Sequence, residues 1–327
     1  MQAFASPVAV LRAGCKINLY LRVGDRLPNG YHELETLFVP LPEPYDTLEV
    51  FRGNDAGDDP HGDTQSRQGL RVEFSAPGID PERNTLTRAY DWYAARTGFA
   101  PALAVRVKKG IPHGAGLGGG SADAAALLRY LQEEAAKAGH APLAREELLE
   151  GSATVGADVP FFLLEGAAKA TGVGEKLVPM PNPCAGYFLV LVCPDVSVST
   201  AWAFAALDER RYGAKNAGPA DGPFPRPGDE KGKFEKVRTH GLTSAGHQAT
   251  YDFACAPPYG NDFEDLVFAR LPELARLRAR LCEAGAELAR MSGTGSSIFA
   301  LFREESTARA AAKALASDSW TVYMQKL

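Results

Sequence analysis

The stretch Lys108–Ala126, KKGIPHGAGLGGGSADAAA, decides how the chain is interpreted, because its many glycines make it costly in backbone entropy to fold. It follows ALAVRVKK, which predicts a strand, and leads into an alanine-rich segment that predicts a helix. That helix is expected to have Ser121 as its N-cap, Asp123 in its first turn and Gly139 at its end. Backbone N–H groups and the positive end of the helix dipole would then converge on one point, which favours a phosphate-binding loop over a purely structural glycine turn.

Three kinds of phosphate loop compete for this stretch. The Walker pattern is absent, because no glycine–lysine pair in the loop is followed by Ser or Thr, and the H-R-D and D-F-G segments of protein kinases do not occur. Gly114, Gly116 and Gly119 satisfy the dinucleotide pattern G-x-G-x-x-G, but no acidic strand end follows about 20 residues later. An NAD-binding oxidoreductase therefore stays as an alternative from a different class.

Length and composition limit the classes of protein to which the chain can belong. A chain of 327 residues favours two domains sharing a cleft, and a net charge of -5 gives no electrostatic footprint for nucleic acid. The longest apolar run of note, residues 187–193, is too short for a membrane span and predicts a buried strand. The five cysteines form no C-x-x-C pair, which argues against a disulfide framework or a zinc site, and no export signal is visible. The sequence thus predicts a cytoplasmic protein without nucleic-acid or membrane partners.

The order of patterns along the chain predicts an α+β protein. Residues 11–50 alternate as antiparallel strands, and a helix is expected from Asn84 to a terminal glycine. Polar insertions are predicted at 55–68 and at 208–248, and the second of these is expected to be mobile. The last part of the chain reads as helix, strand, helix and strand.

Five segments in register resemble the GHMP kinase superfamily, whose members phosphorylate small-molecule hydroxyls with ATP. IPHGAGLGGGSADAA is similar to its second motif, AGCKINLYLRVGDRLPNGYHELETLF to an N-terminal motif, and ARMSGTGSSIFALF to its C-terminal glycine motif. GYHELET and GADVPFF select the branch that acts on cytidylylated methylerythritol. Two departures stand out: Gly14 and Cys15 replace the usual Pro-Ala before Lys16, and Ala122 replaces a serine, which removes one hydroxyl.

The resemblance implies a fold and a reaction. The fold is a ribosomal-S5-like α/β domain over residues 1–165 and an α+β, ferredoxin-like domain over 166–327, with the active site between them. The reaction is transfer of the γ-phosphate of ATP to the 2-hydroxyl of cytidylylated methylerythritol, in the non-mevalonate isoprenoid pathway. The chemistry implies Mg²⁺ as well, although the sequence shows no recognisable cluster of metal ligands. Asp123 would meet that ion through water, or it would only complement the helix dipole.

The resemblance also implies the site residues. Lys16 and Asp158 are the catalytic pair, with Asp158 as general base and Lys16 keeping it ionised. The ATP phosphates are assigned to the residues Lys109, Pro112, Gly114, Ala115, Gly116, Leu117, Gly118, Gly119, Gly120 and Ser121. The acceptor is assigned to the residues Asn18, Tyr31, His32, Phe204, Gly293 and Thr294, with Trp202 as an alternative to Phe204 for stacking on the cytosine ring.

Plainer explanations exist for several of these residues. Asp158 follows a glycine turn and precedes an apolar segment that is expected to be a strand, where a lone Asp is commonly a turn or capping residue. Lys16 interrupts an apolar strand, and its plainer explanation is a side chain that extends its amine to solvent. A mevalonate, homoserine or sugar kinase is the nearest alternative activity, and a catalytically dead sensor with this fold is a third.

Overall fold

The computed structural model describes residues 6–53, 69–76, 78–164, 166–213, 260–316 and 320–327. The chain forms two compact units, whose ranges are Met1–Cys15, Pro42–Pro112 and Gly118–Glu165 for the first, and Lys16–Leu41, His113–Leu117 and Gly166–Leu327 for the second. The predicted domain division at 165/166 coincides with one boundary of the units, whereas residues 16–41 and 113–117 group with the second unit. The predicted insertion at 55–68 lies outside the described residues.

Two long strands, β1 (Ala9–Arg26) and β2 (His32–Arg52), each contribute residues to both units. In the first unit, β4 (Leu103–Lys108) pairs antiparallel with the second half of β2, so that Thr47 lies opposite Lys108. On its other side β4 pairs in parallel with β3 (Leu70–Phe74). The alternating pattern of ALAVRVKK thus predicted β4 correctly.

The helices of the first unit are α1 (Thr85–Thr97), α2 (Gly119–Lys137), α3 (Arg145–Ser152) and α4 (Val159–Leu163). Helix α1 has the predicted ends, because the side chain of Asn84 accepts the N–H of Thr87 and Gly98 takes a left-handed conformation with φ 70°. Five of the six alanines of α2 lie buried with side chains of α1 and β4 in one hydrophobic core. Burial of this apolar area provides the main drive for folding of the unit.

Three details of these helices differ from expectation. Helix α2 has Gly118 as its N-cap, with φ 75°, rather than Ser121, and Asp123 lies beyond the first turn. The segment Val159–Leu163 is a short helix rather than a strand, because Pro160 lies at its start, where its missing N–H would have no helical partner in any case. The predicted end of α2 is correct, since Gly139 follows the C-cap with φ 80°.

In the second unit, β5 (Ala167–Thr171) pairs antiparallel with the first half of β2 and with β6 (Lys176–Met180). A four-stranded antiparallel sheet has the order β10-β7-β9-β8, with the bounds Phe188–Cys193 for β7, Leu288–Met291 for β8, Ile298–Phe302 for β9 and Thr321–Lys326 for β10. Its helices are α5 (Thr200–Tyr212), α6 (Glu264–Arg270), α7 (Pro272–Glu283) and α8 (Glu305–Leu315). The predicted strand at 187–193 and the α+β class are confirmed. The expected order of helix, strand, helix and strand at the end of the chain is also observed, except that two strands, β8 and β9, stand where one was expected.

The polar insertion does not begin at residue 208 as expected. Helix α5 continues to Tyr212, and Asp208 is buried at 3% exposure because its carboxylate pairs with a histidine of the same unit. The rest of the predicted insertion, except for Gly213, lies outside the described residues. Within the described ranges, no helix is long and apolar enough to cross a membrane.

Candidate active site

Lys16 lies in β1 of the second unit and is buried, with 4% of its surface exposed. Its Nζ donates to Oδ1 of Asn18 at 2.7 Å and to the carbonyl oxygen of Gly116 at 3.1 Å. The first of these contacts agrees with strand alternation, which directs the side chains of residues 16 and 18 to one face of the strand. The ammonium group is thus held at the glycine loop rather than extended into solvent.

A short hydrogen-bond chain fixes the orientation of Asn18. Its Nδ2 donates to Oγ1 of Thr36 at 2.8 Å, and Thr36 Oγ1 donates to the carbonyl oxygen of Tyr20 at 2.5 Å. Because Nδ2 is occupied in this way, Oδ1 is the atom that faces Lys16. Thr36 is a residue that the sequence did not single out.

The glycine loop and the C-terminal glycine motif meet at Gly116. This residue has φ 75°, and a Cβ there would lie 2.0 Å from the carbonyl oxygen of Ser292. Ser292 Oγ donates to the Gly116 carbonyl at 2.9 Å, and a Cβ on Gly293 would lie 3.4 Å from Oδ1 of Asn18. Glycine is therefore required at 116 on steric grounds, and three motifs of the sequence converge within the second unit.

Other residues of His113–Leu117 are tied to the same unit through their backbone. The carbonyl oxygens of Gly114, Ala115 and Leu117 accept the N–H groups of Val198, Ser297 and Lys16 at 3.4, 3.2 and 3.0 Å. Asn261 steadies the neighbouring turn, since its Nδ2 donates to the carbonyl oxygens of Met291 and Gly293 at 2.9 and 2.7 Å. In the turn itself, the Thr294 hydroxyl lies 3.2 Å from that of Thr200. Sequence reasoning missed Asn261, whose role depends on partners about thirty residues away.

In the first unit, the remaining glycines of the loop form the start of α2. A Cβ on Gly119 would lie 3.1 Å from the side chain of Ile111, and one on Gly120 would lie 3.2 Å from Oγ1 of Thr85. Ser121 follows in the first turn, where its N–H donates to the carbonyl oxygen of Gly118. The start of a helix of this length concentrates positive potential, as expected for an anion site.

Lys109 and Lys108 have different environments, although they are neighbours in the sequence. Lys108 is an exposed side chain whose Nζ lies 2.5 Å from Glu49. The Lys109 side chain is only 9% exposed, and its Nζ pairs with Oδ2 of Asp46 and, at 2.9 Å, with Oδ2 of Asp123. Burial lowers the pKa of Lys109, but Asp123 and Asp46 together raise that pKa above its ordinary value.

The same group of residues perturbs Asp123. Burial raises the pKa of its carboxyl, the nearby Lys109 lowers it and Asp46 raises it, with a resulting pKa of about 7. Asp46 has no exposed surface and was not singled out from the sequence. One signal could have identified it: in the register of β2 and β4, Asp46 lies opposite Lys109, the first residue after β4.

Asp158 is half-buried and directly precedes α4 in the first unit. Its side chain makes no capping bond to the helix, so the plain capping role does not explain it. Lys16 and Asp158 belong to different units, and their joint action stays a prediction.

His32 and Phe204 lie together in the second unit. The imidazole of His32 is stacked on the Phe204 ring at a centroid distance of 5.2 Å, and His32 Nε2 lies 2.6 Å from Oδ1 of Asp208. His32 is buried at 3% exposure, whereas Tyr31 before it is half-buried. The alternative stacking residue, Trp202, has the guanidinium of Arg270 over its ring at 4.3 Å. Asp208 is a further residue that the sequence analysis missed.

The described residues contain no group of three or more His, Cys, Asp or Glu side chains that could hold a metal ion. The chain thus offers no dedicated metal cage in these ranges. A Mg²⁺ ion that accompanies a nucleotide is commonly held by phosphate oxygens, water and only one or two carboxylates.

Comparison with known families gives matches over both parts of the chain. Residues 84–166 match the GHMP kinases N terminal domain, and residues 251–320 match the GHMP kinases C terminal domain. The chain is 43% identical over 318 residues to the 4-diphosphocytidyl-2-C-methyl-D-erythritol kinase of Nitratidesulfovibrio vulgaris, covering 97% of this chain and 98% of that protein. It is 42% identical to the protein of the same name from Solidesulfovibrio magneticus, with full coverage of both.

Solved structures give the same result. A crystal structure of 4-(cytidine 5'-diphospho)-2C-methyl-D-erythritol kinase matches with a TM-score of 0.66 and 30% identity, over 97% of this chain and 98% of that one. A homoserine kinase from Cytophaga hutchinsonii matches with a TM-score of 0.62 at 17% identity, covering 100% of this chain and 96% of its own, which indicates a shared fold alone.

Proposed function

The chain belongs to the GHMP kinases, among the 4-diphosphocytidyl-2-C-methyl-D-erythritol kinases, and from this premise we propose how its residues carry out the reaction. It is a small-molecule kinase. We propose that it transfers the γ-phosphoryl group of ATP to the 2-hydroxyl of 4-diphosphocytidyl-2-C-methyl-D-erythritol. The observation that carries the proposal is the contact of Lys16 with both Asn18 and the Gly116 carbonyl, because it joins a cation to the glycine loop.

The glycine loop is proposed to bind the phosphates of ATP. The left-handed glycines 114, 116 and 118 let the main chain approach phosphate oxygens closely, and the first turn of α2 presents N–H groups and the helix dipole. Ser121 adds a hydroxyl donor at the same helix start. Pro112, Ala115 and Leu117 shape the loop around these residues.

Asp158 is proposed as the general base. It takes the proton of the 2-hydroxyl, whose oxygen forms the new bond to the γ-phosphorus as the bond to the β-phosphate oxygen breaks and ADP leaves. Lys16 is proposed to neutralise charge on the transferring group and to keep Asp158 ionised. Phosphoryl transfer of this kind needs positioning and charge neutralisation more than covalent chemistry, which two such residues supply.

Magnesium is proposed to enter as the complex with ATP. Since the described residues form no metal cage, the triphosphate would supply most of its ligands. The ion would neutralise phosphate charge, and the residues of the loop would orient the complex. We also propose that the enzyme acts in the cytoplasm. The described cysteines are free thiols, which is typical of proteins from a reducing compartment.

The acceptor is proposed to bind through its cytidine end at Tyr31, His32 and Phe204. The stacking of the Phe204 ring on His32 supports this assignment, because it brings two of the three residues together. Asn18 and the turn at Gly293 and Thr294 are proposed to contact the part of the acceptor near the reacting hydroxyl, since Asn18 lies beside Lys16.

Two measurements test this proposal. Calorimetric titration with magnesium–ATP should give saturable binding, and titration with NAD should give none. Phosphorus NMR of the product should then give a new phosphomonoester signal on the 2-oxygen of the acceptor. Binding of NAD in place of ATP, or a phosphoryl group on another oxygen, would contradict it.

A further inference from the structure

Asp46 fastens the first residues of the glycine loop to strand β2. Its Oδ1 accepts the N–H groups of Gly110 and Ile111 at 2.7 and 2.8 Å, and its Oδ2 pairs with Nζ of Lys109. The side chain has no exposed surface. Both backbone donors at the entrance of the loop are thus taken by one buried carboxylate.

Lys109 extends this attachment to the other end of the loop. Its Nζ pairs with Asp123, which lies in helix α2 a few residues after the last loop glycine. The Lys109 side chain is 9% exposed, and those of Asp46 and Asp123 are 0% and 3% exposed. All three residues belong to the first unit.

We propose that Asp46, Lys109 and Asp123 form a buried clasp that fixes the entrance and exit of the glycine loop, and that Lys109 is a positioning residue rather than a ligand of the ATP phosphates. To reach a phosphate, Lys109 would have to leave two buried carboxylates without their shared cation, which is strongly unfavourable. The clasp instead presets the backbone that is proposed to bind ATP. In this respect the inference rests on the proposed function.

The clasp is tested by backbone hydrogen exchange and by nucleotide affinity. The variants are Asp46→Ala, Lys109→Met and the double variant, with Lys108→Met as the matched control because Lys108 forms an exposed ion pair one residue away. Exchange of the peptide spanning residues 105–120 is followed without nucleotide, and the Kd values of ATP, ADP and AMP are measured.

The clasp predicts that Asp46→Ala speeds exchange at Gly110 and Ile111 by about 10- to 100-fold, because both backbone hydrogen bonds to a charged group are lost. Lys109→Met should also speed this exchange, because Asp46 loses the cation that holds its carboxylate in place. The double variant should be little worse than the worse single variant, because the residues act as one unit. Each single variant should weaken ATP and ADP binding by a similar factor. Lys108→Met should leave all values unchanged.

Two outcomes would overturn the clasp. One is exchange in Lys109→Met equal to that of the Lys108→Met control. The other is a loss of affinity in Lys109→Met that grows from AMP to ATP and adds fully to that of Asp46→Ala, as direct phosphate contact requires. If Asp46→Ala does not fold, the isosteric Asp46→Asn and Asp123→Asn variants take its place in the same cycle.

Failure of the clasp and failure of the proposed function give different results. Exchange is measured without nucleotide, so it reports on the clasp even if the protein does not bind ATP. Faster exchange in the variants together with no ATP binding by the unaltered protein would retain the clasp and reject the proposed function.

Discussion

Lys16 places a positive charge at the glycine loop. Its ammonium donates to Oδ1 of Asn18 and to the carbonyl oxygen of Gly116, so the loop that is proposed to bind the phosphates of ATP lies within hydrogen-bond reach of a buried cation. This contact supports the proposed role of Lys16 in phosphoryl transfer.

Replacement of Lys16 by methionine keeps the length of the side chain and removes its charge. We expect kcat to fall by about a hundredfold or more, because a donor to the developing charge is lost. Steady-state kinetics check this, with Lys169→Met as the control, since Lys169 forms a half-exposed pair with Glu35 in the same unit. A Lys16→Met enzyme within a few fold of the unaltered one would contradict the role.

The pKa of Asp123 predicts a pH dependence of stability. Its pKa is about 7 in the folded protein, above its ordinary value of 3.8, so the folded state binds more protons between these pH values. The contribution of Asp123 to the free energy of unfolding should therefore be lost as pH rises from about 4 to about 7, by at most about 1.4 kcal/mol per pH unit.

Urea unfolding of the unaltered protein and of Asp123→Asn, at pH values from 5 to 8, checks this prediction. The difference between the two proteins isolates Asp123, because other carboxylates titrate in both and the neighbouring Lys109 and Asp46 are retained. A difference that does not change with pH would contradict it.

Residues such as Asp46 and Asp208 could not be identified from the sequence. Each is buried through a partner distant in the chain, Lys109 in one case and His32 in the other. The contact of Lys16 with Asn18, by contrast, follows from the sequence alone, because side chains two residues apart in a strand share a face.

At the scale of elements, the sharpest constraint lies where the glycine loop meets the turn between β8 and β9. Replacing Gly116 by alanine should abolish activity or folding, because the Cβ would lie 2.0 Å from a carbonyl oxygen. Gly139→Ala is the matched control: it has a similar φ of 80° and nothing within 4 Å, so it should cost only about 1–2 kcal/mol.

Activity assays and thermal unfolding of both glycine variants check this. Equal behaviour of Gly116→Ala and Gly139→Ala would contradict the close approach of the loop to Ser292.

Helix α5 positions a residue of the proposed acceptor site, because its Asp208 holds the imidazole of His32 in place. Asp208→Ala should raise KM for the cytidylylated acceptor about tenfold and leave KM for ATP unchanged, since a hydrogen bond to a charged group is lost. Glu209→Ala, the exposed neighbour in the same helix, should change neither value. A rise in KM for ATP would indicate a general structural effect instead.

Element boundaries were predictable where local chemistry decides them. Asn84 and Gly98 bound α1 as expected, because capping and left-handed glycine are properties of a few neighbouring residues. The start of α2 was predicted at the wrong residue because several glycines and a serine compete there, and crowding against Ile111 and Thr85 decides between them.

At the scale of the whole molecule, the comparisons agree with the order of the motifs in the sequence. The N-terminal and C-terminal family matches follow each other along the chain, and the relatives match over nearly its full length. The α+β class was predictable, because each element has a local pattern. The grouping of residues 16–41 and 113–117 with the second unit was not, since it depends on contacts between segments far apart in the chain.

The central claim is that this kinase phosphorylates one acceptor with Asp158 as base. The most direct test is ADP release with magnesium–ATP and five acceptors: 4-diphosphocytidyl-2-C-methyl-D-erythritol, methylerythritol phosphate, mevalonate, homoserine and galactose. We predict turnover of the first alone, and a fall in kcat of about a hundredfold or more in Asp158→Asn, as expected for loss of a general base. Turnover of another acceptor in its place, or an Asp158→Asn variant as active as the unaltered enzyme, would contradict the account.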